Sequence, residues 1–199
     1  MKRKKSKKMF ARVIKQTKNA SPVKAGSVLV AKPFWKEEAY QRSVILLIQQ
    51  DAVGSTGIIL NKVSNLTVKD ALDEIPFSTP LYYGGPMNVK TISYLHDKSA
   101  FPDAVNLGNG IYWGGDYEYM KEAVSEKRIN PKKMKFFAGF VEWSKGQLES
   151  EIAENKWWTT EMNVKELFST SMEELWMFEL LNSGHLYGLF NDFPDPVLN

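Results

Sequence analysis

Lys135-Phe136-Phe137-Ala138-Gly139-Phe140-Val141-Glu142-Trp143 runs directly into Ser144-Lys145-Gly146-Gln147-Leu148-Glu149-Ser150-Glu151-Ile152-Ala153. The first stretch is dense in aromatic and β-branched side chains, which predicts a long strand from Lys135 to Trp143. Ser144 and Gln147 stand at the spacing of a capping box. Leu148, Ile152 and Ala153 then give a helical apolar stripe. A strand therefore passes into a helix within one short turn. Outward from this junction, strand signals dominate before residue 115 and helix signals after 143. That order predicts an α+β fold in a single domain rather than regular βαβ alternation.

Upstream, Ser27–Ala31 lies between Gly26 and Pro33 and predicts a short strand. Ser43–Gln49 is a continuous apolar run of the kind covered on both faces. Gly54-Ser55-Thr56-Gly57 supplies turn chemistry, which predicts a hairpin with Ile58-Ile59-Leu60 as the return strand, ended by Asn61. Thr67–Asp70 has the form of a capping box, opening a helix through Ala71, Leu72 and Ile75 that Pro76 stops. Leu81-Tyr82-Tyr83, Ile92–Leu95 and Ile111-Tyr112-Trp113 are further strands. Asp116 is placed to cap a helix from Tyr117 to about Lys127. Asn163–Glu166 and Ser171–Glu174 are two more capping boxes, the second opening a helix that Gly184 should close. The tail after it, with Asp192, Pro194, Asp195 and Pro196, is expected to be irregular.

Charge divides the chain sharply. Its 199 residues hold 26 Lys and Arg against 23 Asp and Glu, for a net +3. Residues 1–18 alone carry nine cations and no acid, so residues 19–199 sum to −6. Lys2, Arg3, Lys4, Lys5, Lys7 and Lys8 repel one another with no apolar partner. This predicts a disordered arm over residues 1–20 ahead of a domain spanning 21–199. The arm suits weak, non-specific contact with nucleic acid or an anionic lipid surface, though a solubilising leader is the reading its charge favours. It is not a signal peptide, because no apolar stretch follows the charges. Val44–Ile48 is the longest aliphatic run, far short of the ~20 residues of a membrane span. The absence of cysteine excludes disulfides, thiol catalysis and thiolate metal sites. Two histidines leave little for a metal centre, and neither metal nor cofactor is expected.

Several motifs, in order, resemble the bacterial AlgH/YqgE family. Gly26–Pro33, Gln41–Leu47 and Gly57–Lys62 are similar to its opening. Tyr82-Tyr83-Gly84-Gly85-Pro86 and Ser93–His96 are similar to its middle, and Ala138–Ile152 with Asn155 and Trp157 to its most diagnostic block. The similarity covers roughly residues 26–185. It implies a bacterial cytosolic α+β protein in which a bent or split, mostly antiparallel sheet forms a barrel-like body with helices packed on it. Such proteins are often labelled transcriptional regulators, a label that rests on genetic context and on no DNA-binding motif, and no catalytic residue carries over. Gln50 stands where a histidine is common, and Val141-Glu142 replaces a pair of small residues.

Eight residues form a candidate binding cleft: Arg42, Asn61, Gly84, Gly85, His96, Trp143, Gln147 and Glu151. Arg42 at the entry to a buried strand can clamp a carboxylate or phosphate, or fix hairpin register against an internal acid. Ser43 lacks the Gly-x-Ser-x-Gly elbow of a nucleophile. Asn61, Gly84 and Gly85 fall at strand ends, where sites collect and where a Gly-Gly turn can offer backbone N–H groups to an anion; plain turn geometry explains them too. His96 and Asp97 would face opposite sides of a strand, so the pair would not act together. Gln147 and Glu151 share a helix face. Reciprocal capping with Ser144 accounts for Gln147, whereas an inward Glu151 would want Arg42 or Lys145 beside it. Trp143 reads as core or cleft wall.

These features predict a non-enzymatic regulator that binds a protein or small ligand. The alternatives are direct nucleic-acid binding through the arm, a hydrolase or transferase using Arg42, His96 and Glu151, and an assembly subunit with an exposed aromatic patch.

Overall fold

The computed structural model describes residues 22–182 apart from 34, 36 and 77. Among them are ten strands: β1 (Ser27–Ala31), β2 (Val44–Gln50), β3 (Gly54–Ile59), β4 (Val63–Thr67), β5 (Pro80–Tyr83), β6 (Met87–His96), β7 (Val105–Gly108), β8 (Ile111–Trp113), β9 (Met134–Ser144) and β10 (Trp157–Glu161). Five helices accompany them: α1 (Val68–Ala71), α2 (Tyr117–Ser125), α3 (Gln147–Ala153), α4 (Val164–Ser169) and α5 (Leu175–Asn182). None is long and apolar enough to cross a membrane. The expected arm, the stop at Gly184 and the tail lie outside the described residues.

The strands join one curled sheet in the order β10-β1-β2-β3-β9-β6-β8-β7, with β5 beside β9 and β4 beside β5. All pairs are antiparallel except β5 with β9. The curl is tight enough to bring β7 back over the start of β1. A Cβ on Gly26 would lie 1.9 Å from the Leu107 carbonyl oxygen, so only glycine fits there. This is the α+β, barrel-like body that the motifs imply.

β9 organises the sheet. Its first half lies between β5 and β6, with Phe137 opposite both Tyr82 and Ser93, while its second half pairs with β3, Val141 opposite Gly57. Gly139, at φ +75°, separates the halves. Side chains along a regular strand alternate faces, so residues of equal parity belong to one side. Across Gly139 this parity breaks. Phe137 enters the inner core with Val30, Leu46 and Leu95, whereas Val141 and Trp143 enter an outer core with Leu29, Ile45 and Leu148. The left-handed residue turns the strand over, and one strand serves three cores. The third, around Phe136, Met134 and Met120, lies under α1 and α2 on the other outer face.

The inversion requires a close crossing of backbones. A Cβ on Gly84 would fall 2.3 Å from the Gly139 oxygen, one on Gly85 2.2 Å from the Phe140 oxygen, and one on Gly139 2.4 Å from the Gly85 oxygen. All three glycines are therefore consequences of packing.

Local caps follow the sequence closely in places. Thr67 and Asp70 form the full capping box of α1, Asn163 and Glu166 that of α4, and Asp116 accepts from the Tyr119 N–H at 2.7 Å to start α2. Four expectations need correction. The β2–β3 turn is at Asp51–Val53, where the Asp51 carboxylate accepts from the Val53 and Gly54 N–H groups. Gly54 and Gly57 lie inside β3, paired with β9, where a Cβ on Gly54 would meet the Trp143 carbonyl oxygen at 2.2 Å. The helix α1 stops at Ala71, well before Ile75. Only half of the Ser144–Gln147 box forms: Gln147 Oε1 accepts from the Ser144 N–H at 3.0 Å, but the N-cap is Gly146 and the serine hydroxyl takes no part. Ser171–Glu174 makes a turn ahead of α5, with Glu174 N–H donating to the Ser171 oxygen at 3.1 Å.

Candidate functional site

Three of the eight cleft candidates meet. Gln147 and Glu151 stand one turn apart on α3, which leaves the end of β9 and leads through a tight turn at Asn155 into β10. That path sets Trp143 and Trp157 on either side of the helix. Glu151 Oε2 accepts from the Trp143 indole at 2.9 Å and from the Trp157 indole at 2.8 Å, while Oε1 accepts from the Gln147 amide at 3.1 Å. Both indoles are buried, at 4% and 3% exposure. The expected charged partner, Arg42 or Lys145, is absent from these contacts; neutral N–H donors replace it. Trp35 packs edge-on against Trp157 at 4.4 Å, and Tyr40 lies beside both. Burial, then the nearby charges of Glu37 and Glu151, push the Tyr40 phenol up from its ordinary range. The cluster is an aromatic wall closed by a carboxylate that acts only as an acceptor.

The other five candidates have separate duties. Arg42 is exposed and stands at the entry to the buried β2, in a left-handed turn at φ +53°; its guanidinium lies 5.8 Å over the Trp176 ring. Asn61 clamps the start of β2, accepting from the Val44 N–H and donating to the Arg42 carbonyl, each at 2.8 Å. Ser43, fully buried, donates its hydroxyl to the Tyr40 carbonyl. Gly84 gives its N–H to Ala138 at 2.8 Å, and with Gly85 it forms the backbone crossing.

His96 is fully buried. Its Nε2 lies 2.9 Å from the Gly114 carbonyl and its Nδ1 accepts from the Lys98 N–H at 3.2 Å, which fixes the neutral Nε2–H tautomer. Phe101 stacks against it at 4.4 Å. Burial lowers the imidazole pKa below its ordinary 6.5, outweighing the two backbone contacts and Asp97. The unfolded chain takes up this proton as pH falls through about 6.5, and the folded chain resists until lower pH. Its contribution is therefore complete above 6.5 and is lost as pH falls below it. Glu179, 3% exposed and pushed up to about 7 by burial and by Glu166, adds the opposite slope: stability lost as pH rises from 4.5 towards 7. We expect urea midpoints of the wild type minus those of His96→Gln to fall between pH 7 and 5. A flat difference would remove His96 from the account.

An open depression of about 290 Å³ lies between the β2–β3 turn and the start of α3, lined by Gln50, Asp51, Lys145 and Glu149 among others. Gln50 Nε2 donates to Glu149 Oε1 at 3.1 Å across it. Among the described residues no three His, Asp or Glu side chains gather as metal ligands. Trp35, Tyr40 and the depression escape sequence reasoning, because the loop and turn that supply them carry no periodic signal.

A family model described as AlgH-like (DUF179) matches residues 28–187. A UPF0301 protein of Chlorobaculum parvum is 34% identical over 182 residues, covering 89% of this chain and 96% of the relative. One from Cytophaga hutchinsonii is 31% identical over 178 residues, covering 87% and 98%. The solution structure of AlgH from Pseudomonas aeruginosa superposes with TM-score 0.68 at 22% identity, covering 89% of this chain and 98% of that one. A crystal structure from Corynebacterium diphtheriae gives 0.67 at 25%, covering 90% and 92%. The family model and the similarity to relatives over nearly their whole length agree, and the chain belongs to the AlgH-like family.

Proposed function

We propose that this chain is a non-enzymatic cytoplasmic regulator that acts by binding a protein or a small ligand. The observation that carries the reading is the internal commitment of the residues best suited to chemistry. Both ring nitrogens of His96 are bonded to backbone inside a core, and both oxygens of Glu151 accept N–H bonds from its own wall. General acid–base catalysis needs such a group within about 3 Å of a substrate proton, or one water away. Arg42, His96 and Glu151 share no hydrogen-bonding partner among the described residues, which weakens the hydrolase or transferase reading. The half-buried Trp35 and Tyr40 beside exposed Gln147 supply a contact surface rich in the side chains that recognition favours.

The nine cations of residues 1–18 favour a second reading, direct nucleic-acid binding. A salt titration of duplex DNA binding separates the two. With the full chain, log affinity should fall with log salt at about −0.9 per phosphate neutralised. Removing residues 1–18 should abolish binding. Affinity that survives the removal would place a nucleic-acid surface on the domain and overturn the reading preferred here.

A further inference from the structure

Three polar groups on the inner side of the curled sheet have no acceptor among the described residues. Lys135 on β9 is half-buried; its Nζ lies 5.1 Å over the Tyr82 ring and makes no ion pair. Lys133, just before β9, sits likewise over Phe168 at 5.5 Å. On β8, the Trp113 Nε1 is buried and has no hydrogen-bond partner. A buried donor left unmatched is rare and costs about 1–3 kcal/mol; the Trp113 indole is such a donor, and two half-buried lysines held over aromatic rings stand on the same face.

Register places them together. Lys135 stands opposite Leu95, and Leu95 opposite Trp113, so the three form one row across β9, β6 and β8. Directly paired residues share a face, and Leu95 and Tyr82 belong to the inner core against which Trp113 and Phe168 pack. Two strand spacings separate the backbones of Lys135 and Trp113 by about 10 Å, a gap that a lysine side chain can sweep. Burial lowers the pKa of Lys135 below its ordinary 10.5, as expected of an ammonium with too little solvation. Glu173, whose charge reaches Tyr82, is exposed and pairs with neither lysine.

We propose that this end of the inner face binds an organic anion, a carboxylate or phosphate head on an apolar or planar body. Lys135 and Lys133 take the charge, the Trp113 indole donates to a second oxygen, and the body lies on Phe168 and the accessible edge of Tyr82. Such a ligand is one form of the small-ligand binding proposed above and rests on it. The two fail separately: loss of the anion site leaves the DNA titration untouched, and DNA binding by the armless chain leaves the anion site standing.

The test is a titration of the ¹⁵N-labelled full chain with phenyl phosphate and, separately, with benzoate. The readout is the Trp113 indole N–H resonance, assigned by its loss in Trp113→Phe. A saturable shift is expected with at least one probe, and the probe that works identifies the head group. Lys135→Met, whose stem still covers Tyr82, should weaken binding about tenfold or more. Lys135→Arg and the exposed control Lys90→Met should bind nearly as wild type. No saturation by either probe up to about 10 mM, or equal affinity for folded Lys135→Met, would overturn the site. A Lys135→Met chain with collapsed signal dispersion leaves Lys135→Arg to decide, and loss of binding there counts against it.

Discussion

Gly139→Ala is expected to lose about 3–5 kcal/mol of stability, enough to leave much of the chain unfolded at 37 °C. Two effects add. A left-handed backbone costs an alanine about 1–2 kcal/mol relative to glycine. The new methyl would also sit 2.4 Å from the Gly85 oxygen and 2.8 Å from the Met87 oxygen, both backbone atoms of crossing strands that no rotamer change can move aside. Gly146 separates the terms. It has nearly the same φ, +77°, but nothing lies within 4 Å of a Cβ placed there. Gly146→Ala should therefore cost only about 1–2 kcal/mol, the conformational term alone. Urea unfolding followed by tryptophan fluorescence measures both. Equal losses at the two positions would show that the crossing is looser than described and that β9 can turn over without it.

Glu151→Ala is expected to cost about 3–5 kcal/mol, since each buried donor left unsatisfied costs about 1–3 kcal/mol. Three donors lose their acceptor at once, and the two indoles lie in a core that water does not reach. Glu151→Gln should cost less, about 1–2 kcal/mol. Its amide oxygen can take over both indole bonds, but its nitrogen then confronts the Gln147 amide, which the Ser144 N–H holds in place. The order Ala worse than Gln, with the Trp143 and Trp157 indole resonances displaced in both, is the signature of an acceptor that ties α3, β9 and β10 together. A loss below about 1 kcal/mol for alanine would reduce the carboxylate to a surface group.

What was legible in the sequence is local. Asp116, Thr67 with Asp70, and Asn163 with Glu166 announce helix starts because a capping bond spans three residues and leaves its chemistry in the sequence. The shared face of Gln147 and Glu151 was legible for the same reason. The partners of Glu151 were not, because a carboxylate among tryptophans reads as an unpaired charge until the turn at Asn155 brings Trp157 round beside Trp143. Strand pairing between distant segments was also hidden. β4, β7 and β10 are short and weakly alternating, and the parallel contact of β5 with β9 depends on the crossing at Gly84 and Gly85. Gly139 stood in plain view inside an aromatic strand. Period-2 reading carries straight through it and assigns Phe137 and Trp143 to the same side, when the kink sends them to opposite faces.

The pairing of β1 with β10 also sets a timetable for biosynthesis. Ala31 meets Trp157, and Ser27 meets Glu161, 126 and 134 positions later in the chain. At about 5–20 residues per second, a ribosome takes roughly 6–25 s to supply the second partner after the first has emerged. Throughout that interval the Ser27–Ala31 segment, an apolar strand that lies inside the finished sheet between β10 and β2, has one side open to any strand that passes. Such a topology folds late and slowly for its size. Its most hazardous moment comes while the nascent polypeptide is still tethered, when neighbouring chains on a polysome are within reach of the same open side.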